Sequence, residues 1–132
     1  MGGAMNLNQI GQISLTVDDV DKAERFYEDI LGLMKLYRFG KLVFFDCDGV
    51  RLFISEPEDG DFSPSSSILY FKTLDIASTI KELEADEVSI IHQPQLVTEM
   101  EDHDLWMAFF KDPAGNTLAL MHEAEKGYQP LL

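Results

Sequence analysis

Apolar and polar residues alternate between Ile10 and Val17, and apolar residues at helical spacing follow directly. The alternating stretch has one apolar face and one polar face, which is typical of a half-buried strand. The helical face behind it consists of Val20, Ala23, Phe26, Tyr27, Ile30 and Leu31. Asp18 and Asp19 offer side-chain oxygens to the unpaired N–H groups of a helix start, and Gly32 suits a helix end. This stretch therefore predicts a strand, a turn and a helix.

A second copy of this pattern begins near Ile68. Residues 68–73 alternate, and Asp75 stands at the expected start of a helix. The apolar face of that helix consists of Ile76, Ala77, Ile80 and Leu83. Each copy then ends in two strands around a glycine-containing turn, at residues 43–54 and 108–120. The chain is therefore predicted to repeat one structural unit in tandem.

Turn-forming residues divide the remainder of the chain. After its helix, the first unit is predicted to have three strands and thus a βαβββ order: 33–39, 41–46 and 50–55. The second is predicted to have strands at 67–73 and 88–93, a helix at 75–85, and hairpin strands at 105–111 and 117–122. The predicted organisation is one domain, 9–123, of two modules, 9–56 and 67–123, with a linker at 57–66 and a tail at 124–132.

The second unit also contains inserted residues, TEMEDHDLW at 98–106, between its helix and its final hairpin. Polar residues without alternation predict an irregular loop, and loops often carry function. His103 lies in this segment between two aspartates, and Trp106 follows. We therefore expect His103 to be the candidate general acid or base and Trp106 a stacking wall. An equally open alternative is a solvated acidic loop that Trp106 anchors in the core.

Length and charge narrow the classes of function. At 132 residues with 45% hydrophobic residues, the chain can bury a core as one domain without disulfides. Its 24 acidic and 10 basic residues give a net charge of −14, which repels nucleic-acid phosphates and anionic lipid. No apolar run reaches the roughly 20 residues of a membrane span. Cys47 is the only cysteine, so no internal disulfide can form. We therefore expect a cytoplasmic protein that binds neither nucleic acid nor membranes.

The order of these motifs resembles that found in members of the vicinal oxygen chelate superfamily. The resemblance rests on the tandem βαβββ pattern and on Thr16-Val17-Asp18-Asp19, Phe26-Tyr27, Leu31-Gly32-Leu33 and Asp112-Pro113-Ala114-Gly115-Asn116. That superfamily includes glyoxalase I, bleomycin resistance proteins, extradiol dioxygenases, methylmalonyl-CoA epimerase and fosfomycin resistance proteins. The resemblance covers residues 9–123. It implies an α+β fold in which two tandem βαβββ modules form a curled mixed sheet with a central cleft, and it implies a homodimer.

Metal-dependent members of that superfamily hold a divalent ion with His or Glu side chains from the first and last strand of each module. The resemblance implies that the corresponding positions in this chain are Gln12, Phe53, Ile68 and Ala119, which we call the carried-over metal positions. Phe, Ile and Ala side chains have no atom that can bind a metal. The Gln12 amide alone cannot replace the three or four donor atoms that hold a catalytic ion. We therefore expect no cofactor at this quartet. A divalent metal would need a non-standard site, for example one built from His103, Asp104 and Glu56.

The same alternation predicts which side chains line the cleft instead. Aromatic walls with a few cationic and polar groups are typical of small-molecule sites. The expected ligand-binding residues are Gln12, Arg51, Phe53, Tyr70, His103, Trp106 and Met121. The alternative is a cleft that has collapsed around its own apolar side chains.

Three functions remain open at this point. We expect a glyoxalase-like protein that binds a small organic molecule without the usual metal, similar to bleomycin resistance proteins, which sequester their ligand. The first alternative is a lyase, isomerase or dioxygenase of the same superfamily with relocated or metal-free catalytic groups. The second is a non-catalytic dimeric interaction subunit that uses its acidic surface and its tail.

Overall fold

In the computed structural model, which describes residues 5–131, the chain divides into two units between Ser63 and Pro64. This boundary lies inside the segment 57–66, where a linker is expected. Leu132, the last residue of the predicted tail, lies outside the described residues. The bounds of the domain and of its modules stay a prediction.

The first unit, module 1, has the predicted βαβββ order. Its elements are β1 Gln12–Thr16, α1 Val20–Arg25 with a π-helical continuation Phe26–Ile30, β2 Met34–Phe39, β3 Leu42–Cys47 and β4 Val50–Ser55. The sheet order is β1-β4-β3-β2, with β1 parallel to β4 and the other pairs antiparallel. The π turn, closed by a Leu31 N–H to Phe26 carbonyl bond of 3.0 Å, lets adjacent Phe26 and Tyr27 both face the core.

Module 1 buries one face of its sheet against its helix. The core residues are Leu15, Val17, Val20, Ala23, Phe26, Tyr27, Val43, Phe45, Leu52 and Ile54. Asp19 caps the helix, since its Oδ1 accepts hydrogen bonds from the Asp21 and Lys22 amides at 3.0 and 3.2 Å. The amide of Val20, at the first helical position, donates to Glu56 Oε2 at 3.0 Å. Glu56 therefore ties the end of β4 to the start of α1.

The second unit, module 2, repeats this order. Its elements are β5 Leu69–Lys72, α2 Ile76–Ala85, β6 Ile90–Glu99, β7 Asp104–Lys111 and β8 Thr117–Ala124. The sheet order is β5-β8-β7-β6, with β5 parallel to β8 and the other pairs antiparallel. The core under α2 includes Ile76, Ala77, Ile80, Leu83, Ala108, Phe110, Leu118 and Leu120. The amide of Ile76 points at His122 Nδ1, 3.4 Å away.

The β7–β8 turn of module 2 is closed by a buried polar network. Asp112 Oδ1 accepts from the amides of Ala114 and Asn116 at 3.0 and 2.8 Å. The Asn116 side chain donates to Asp112 Oδ2 at 3.0 Å and accepts from the Ser65 amide at 2.7 Å. Gly115 has a φ of +92°, which an L side chain rarely adopts. The Asp-Pro-Ala-Gly-Asn motif is therefore a structural turn.

The predicted loop at 98–106 is wrong. Strand β6 continues to Glu99, and a tight turn in which the Met100 amide donates to the His103 carbonyl at 2.8 Å leads into β7. The pairing of β6 with β7 contains register shifts, and most β6 residues are exposed. An edge strand exposed on both faces has no apolar alternation, so the sequence pattern could not identify it.

The predicted fold class is confirmed: the chain is an α+β protein with two βαβββ modules, each with a four-stranded mixed sheet. Within residues 5–131, no helix is both long and apolar enough to cross a membrane.

Candidate ligand-binding faces

Each sheet has one face covered by its helix and one face without a helix, which we call face 1 in module 1 and face 2 in module 2. In β4, buried Leu52 and Ile54 point to the helix, so the alternating residues belong to face 1. Face 1 consists of Gln12, Ser14, Thr16, Met34, Tyr37, Phe39, Leu42, Phe44, Asp46, Arg51, Phe53 and Ser55. In β7, the same reasoning assigns Leu105, Met107, Phe109 and Lys111 to face 2.

Three aromatic rings form a ladder across face 1. Phe44 and Phe53 are paired across β3 and β4, with ring centroids 4.8 Å apart and ring planes 17° apart. Tyr37 continues the row from β2, with its centroid 4.9 Å from that of Phe44. These separations fall within the range of favourable aromatic pairs. We call Tyr37, Phe44 and Phe53 the aromatic ladder.

Arg51 adds a positive charge beside the ladder. Its guanidinium carbon lies 5.6 Å from the Phe44 ring centroid, a cation–π contact. Gln12 and Asp46 occupy the positions in register with Arg51 on the two neighbouring strands. Asp46 Oδ1 accepts a hydrogen bond from the Gly49 amide at 3.2 Å. Among residues 5–131, no ion pair within 4.0 Å involves Arg51.

Face 2 has aromatic residues in a different arrangement. Phe109 meets Tyr70 and His92 edge-on, with centroids 6.0 and 5.9 Å apart and ring planes at 80° and 88°. Ala119 is in register with both Tyr70 and Phe109 and is fully buried. Met107 and Met121 are paired beside it and are half-buried. Face 2 therefore has a largely apolar centre.

His103 lies at one end of face 2, next to the carboxylate of β8. Its Nε2 is 3.3 Å from Glu123 Oε2, and its Nδ1 is 2.8 Å from Asp102 Oδ1. Lys72 Nζ lies 3.8 Å from Glu123 Oε1. The hydrogen bond with His103 lowers the pKa of the Asp102 carboxyl. The structure thus groups His103 with Tyr70 and Met121 on one side of the module 2 sheet.

Trp106 and Asp104 lie on the helix side of β7, away from His103. Trp106 is only 9% exposed and packs edge-on against Tyr128, with centroids 5.9 Å apart. Asp104 accepts from the Gly127 amide at 2.9 Å and pairs with Lys126 Nζ at 2.9 Å, and these contacts, the Lys126 one first, lower its pKa. The structure therefore does not place Trp106 on face 2, contrary to the loop-based prediction, because Trp106 continues the buried alternation of β7.

The residues at the carried-over metal positions do not fit a divalent ion. Gln12 and Phe53 lie on face 1, where Phe53 is stacked on Phe44, and Ala119 is buried on face 2. Ile68 directly precedes β5. Of these four side chains, only the Gln12 amide carries a donor atom. Across residues 5–131, no group of three or more His, Cys, Asp or Glu side chains is arranged to hold a metal.

The proposed non-standard metal ligands also have structural partners. Glu56 bonds the start of α1 and lies 3.7 Å from Lys41 Nζ, and Asp104 is bound by Lys126 and Gly127. Asp104 and His103 point to opposite sides of β7, because Asp104 belongs to its buried alternation. Cys47 is half-buried, and burial raises the pKa of its thiol, which disfavours the reactive thiolate.

The sequence analysis did not identify Tyr37 and Phe44 of face 1 or Phe109 and Glu123 of face 2. It considered only the first and last strands of each module. The signal was present, since Val43 and Phe45 fit the apolar face of β3 and so place Phe44 opposite Phe53 across the Asp48-Gly49 turn. Tyr37 was hidden by the register shift between Lys35 and Tyr37.

Comparison with known proteins agrees with this architecture. The family model described as the Glyoxalase/Bleomycin resistance protein/Dioxygenase superfamily matches residues 9–120. The metallothiol transferase FosB of Lysinibacillus sphaericus (strain C3-41) is 27% identical over 117 residues, which cover 85% of this chain and 80% of that protein.

Solved structures give the same fold. A lactoylglutathione lyase from Agrobacterium tumefaciens has a TM-score of 0.72 at 24% identity, covering 92% of this chain and 98% of the other. An integron cassette protein from the mobile metagenome of V. pseudocholerae has a TM-score of 0.75 at 20% identity, covering 93% of this chain and 100% of the other. At these identities the likeness concerns the fold alone.

Proposed function

Since the chain belongs to the glyoxalase/bleomycin resistance protein/dioxygenase superfamily, we propose that it binds a small organic molecule on an open sheet face without the usual metal quartet. The observation that carries the proposal is the position and stacking of the Phe53 ring. At a position where metal-dependent members have a ligand, this ring is stacked on Phe44 at 4.8 Å. A stacked ring supplies apolar contact area in place of a metal bond.

The composition of the two faces supports this proposal. Both combine aromatic surface with a few polar or charged groups, which is how small-molecule sites are commonly built. Tyr37 is 51% exposed and Tyr70 is 44% exposed, so each face retains accessible ring area. Of the residues expected to bind the ligand, we retain Gln12, Arg51, Phe53, Tyr70, His103 and Met121, which lie on these faces.

Two measurements on untagged protein purified without chelator test the proposal. The first is metal content by plasma mass spectrometry, for which we expect less than stoichiometric amounts of any divalent transition metal. The second is native mass spectrometry and a thermal-shift screen of small organic molecules, for which we expect at least one stabilising ligand.

The variant Phe53→Leu should reduce that stabilisation, because it keeps apolar bulk but removes the stacked ring. The control is Leu74→Ala, since Leu74 is 96% exposed and lies outside both faces. A stoichiometric metal in active protein, or equal ligand stabilisation of Phe53→Leu and wild type, would overturn the proposal.

A second candidate is an enzyme of the same superfamily, a lyase, isomerase or dioxygenase, with His103 as its acid-base group. The observation that favours it is the 3.3 Å approach of His103 Nε2 to Glu123 Oε2 at the edge of face 2. A general acid or base must lie within hydrogen-bond reach of the group it serves, and a carboxylate partner can orient an imidazole. The relative named as a metallothiol transferase adds thiol transfer to the reactions worth screening.

The test of this candidate compares a His103 variant with a control variant in the same turn. His103→Asn should lower turnover about 10²- to 10⁴-fold, the usual contribution of general acid–base catalysis, while the circular dichroism spectrum stays unchanged. Glu101→Gln is the control, because Glu101 is an exposed residue of the same β6–β7 turn and lies outside the aromatic cluster of face 2. Equal turnover of wild type and His103→Asn would remove the assignment.

We also propose a cytoplasmic homodimer. The support is the superfamily, whose members often form dimers, and the single cysteine, which suits a reducing compartment. A dimeric subunit that associates through its tail is less well supported, because Tyr128 packs on His122 and Trp106 of its own module. Light scattering should give twice the mass of the chain, and a monomeric mass at micromolar concentration would contradict the proposal.

A further inference from the structure

The aromatic ladder of face 1 ends at a small residue. Phe53 is in register with Ser14 on β1, and Ser14 is exposed. Tyr37, Phe44 and Phe53 occupy this row on β2, β3 and β4, respectively. A ring is therefore missing only from β1, where Ser14 stands. Adjacent strands lie about 4.8 Å apart, which is close to the separation of stacked rings. An aromatic ring placed over Ser14, on the edge strand β1, would therefore continue the row at the spacing of the ladder.

The residue pair next to Ser14 and Phe53 supplies polar groups. Gln12 and Arg51 are in register with each other and lie two residues along the same face, about 7 Å away. Their amide and guanidinium groups are hydrogen-bond donors, and a guanidinium suits a carboxylate in bidentate geometry. A ligand ring over Ser14 would place an attached acidic group toward this pair.

The charges around Arg51 favour a single negative charge on the ligand. Lys35, Arg38 and Lys41 of module 1 each lie within 4.0 Å of a carboxylate, whereas Arg51 is exposed and contacts the Phe44 ring. The Asp46 carboxylate is in register with Arg51 on β3, and the chain carries a net charge of −14. Both features oppose a polyanion such as a nucleotide phosphate. Arg51 in turn opposes a cationic ring.

We propose that face 1 binds a planar aromatic monocarboxylate, whose ring stacks on Phe53 over Ser14 and whose carboxylate meets Arg51 and Gln12. This inference rests on the proposed function, since it specifies the class of organic molecule and the face that holds it. The alternation of β1 puts Ser14 on the same face as Gln12, although Ser14 was not among the expected ligand-binding residues. Ser14 then becomes the residue that leaves room for the ligand.

The test uses three probe molecules with the same carbon skeleton, measured by calorimetry on the full chain. These are 2-naphthoate, its neutral amide 2-naphthamide, and the saturated decahydronaphthalene-2-carboxylate. We expect 2-naphthoate to bind about tenfold or more tightly than either of the others, because only it has both the ring and the charge. Arg51→Gln should weaken 2-naphthoate by about tenfold and leave 2-naphthamide unchanged.

Ser14→Phe supplies a decisive variant, because it removes no contact group and fills the free position of the ladder with the protein's own ring. We expect it to abolish 2-naphthoate binding while the thermal midpoint without ligand is retained or raised. Ser14→Ala is the matched control and should bind as the wild type does. Unchanged binding in Ser14→Phe would overturn the inference.

The remaining outcomes separate this inference from the proposed function. If other organic molecules bind and Phe53→Leu weakens them, but 2-naphthoate has no advantage over 2-naphthamide, the inference fails and the proposed function stands. If no organic molecule binds and the purified protein contains a stoichiometric metal, both fail.

Discussion

Modules 1 and 2 perform the same structural task with different chemical groups. Glu56 and His122 each lie three positions beyond a carried-over metal position, Phe53 and Ala119. Each accepts from the first amide of its module's helix, Glu56 Oε2 at 3.0 Å and His122 Nδ1 at 3.4 Å. Both modules therefore retain the geometry of this contact, but the hydrogen-bond acceptor is a carboxylate in module 1 and an imidazole in module 2.

The open faces of the modules differ more. Face 1 has rings stacked nearly parallel beside a cation, whereas face 2 has rings meeting edge-on around a buried alanine. The helix side is constrained by the need to satisfy buried backbone groups, which limits the solutions. No such constraint acts on the open face, so its chemistry can diverge. The difference suggests that face 1 is the better surface for a flat ligand.

The largest expected effect concerns the turns that close the two modules. Asn116 is fully buried and joins the β7–β8 turn to Ser65, whereas the corresponding turn of module 1 has an exposed bond from Gly49 to Asp46. Asn116→Ala should lower the free energy of unfolding by about 2 to 4 kcal/mol, because buried polar groups lose their partners. Asp46→Ala should cost about 1 kcal/mol or less. Urea denaturation measures both free energies of unfolding. Equal losses in Asn116→Ala and Asp46→Ala would contradict the predicted difference between the two turns.

The helix contacts should have an intermediate effect that is similar in the two modules. Glu56→Ala should cost about 1 to 2 kcal/mol, since the Val20 amide loses its acceptor and the helix start loses a negative charge. His122→Ala should cost at least as much, because His122 also packs on Tyr128 with centroids 4.7 Å apart. Urea denaturation of both variants tests the equivalence, and a neutral Glu56→Ala would contradict it. Glu56→Gln keeps an acceptor oxygen and serves as control.

The two aromatic arrangements should differ by a smaller amount. Phe44→Leu should cost about 1 kcal/mol beyond its loss of buried area, because the Phe44 ring stacks on Phe53 and makes a tilted contact with Tyr37. Tyr70→Leu should cost less, since Tyr70 makes one edge-on contact at 6.0 Å and is 44% exposed. A double-mutant cycle of Phe44 with Phe53 isolates the stacking energy. A coupling energy indistinguishable from zero would show that the ladder is only surface packing.

The smallest expected effect concerns Asp104, and the stability difference between wild type and Asp104→Asn should be present at neutral pH and shrink on acidification. Lys126 and the Gly127 amide lower the pKa of Asp104 in the folded protein, so the unfolded chain binds more protons in acid. The stability that Asp104 contributes is present above the ordinary carboxyl pKa of about 4 and is lost as the pH falls through the lowered value. Asp104→Asn should therefore flatten the fall in stability between pH 5 and the acid limit. Urea denaturation across this range measures it, and a slope equal to wild type would contradict the assignment.

Several features of the site followed from the sequence, and others did not. The alternation in β1 and β4 correctly separates Gln12, Arg51 and Phe53 from the core side. The orientation of the Trp106 side chain could not be predicted from the sequence. Nothing in TEMEDHDLW shows that β7 begins at Asp104 and that Trp106 therefore faces the helix. Tyr37 was obscured by a register shift, since one extra residue in a strand changes which face each side chain occupies.

The sequence by itself determined the two βαβββ modules, the superfamily and the lack of a full set of metal donors at the carried-over metal positions, where only Gln12 has a donor atom. Hydrophobic periodicity and residue identity are local properties of the chain. Only the tertiary structure decided that Phe44 joins Tyr37 and Phe53 in one ladder, that Ser14 ends it, and that His103 meets Glu123 while Asp104 turns away. These contacts join residues from different strands. They depend on cross-strand register, which is set by bulges and turns acting together rather than by any single stretch of sequence.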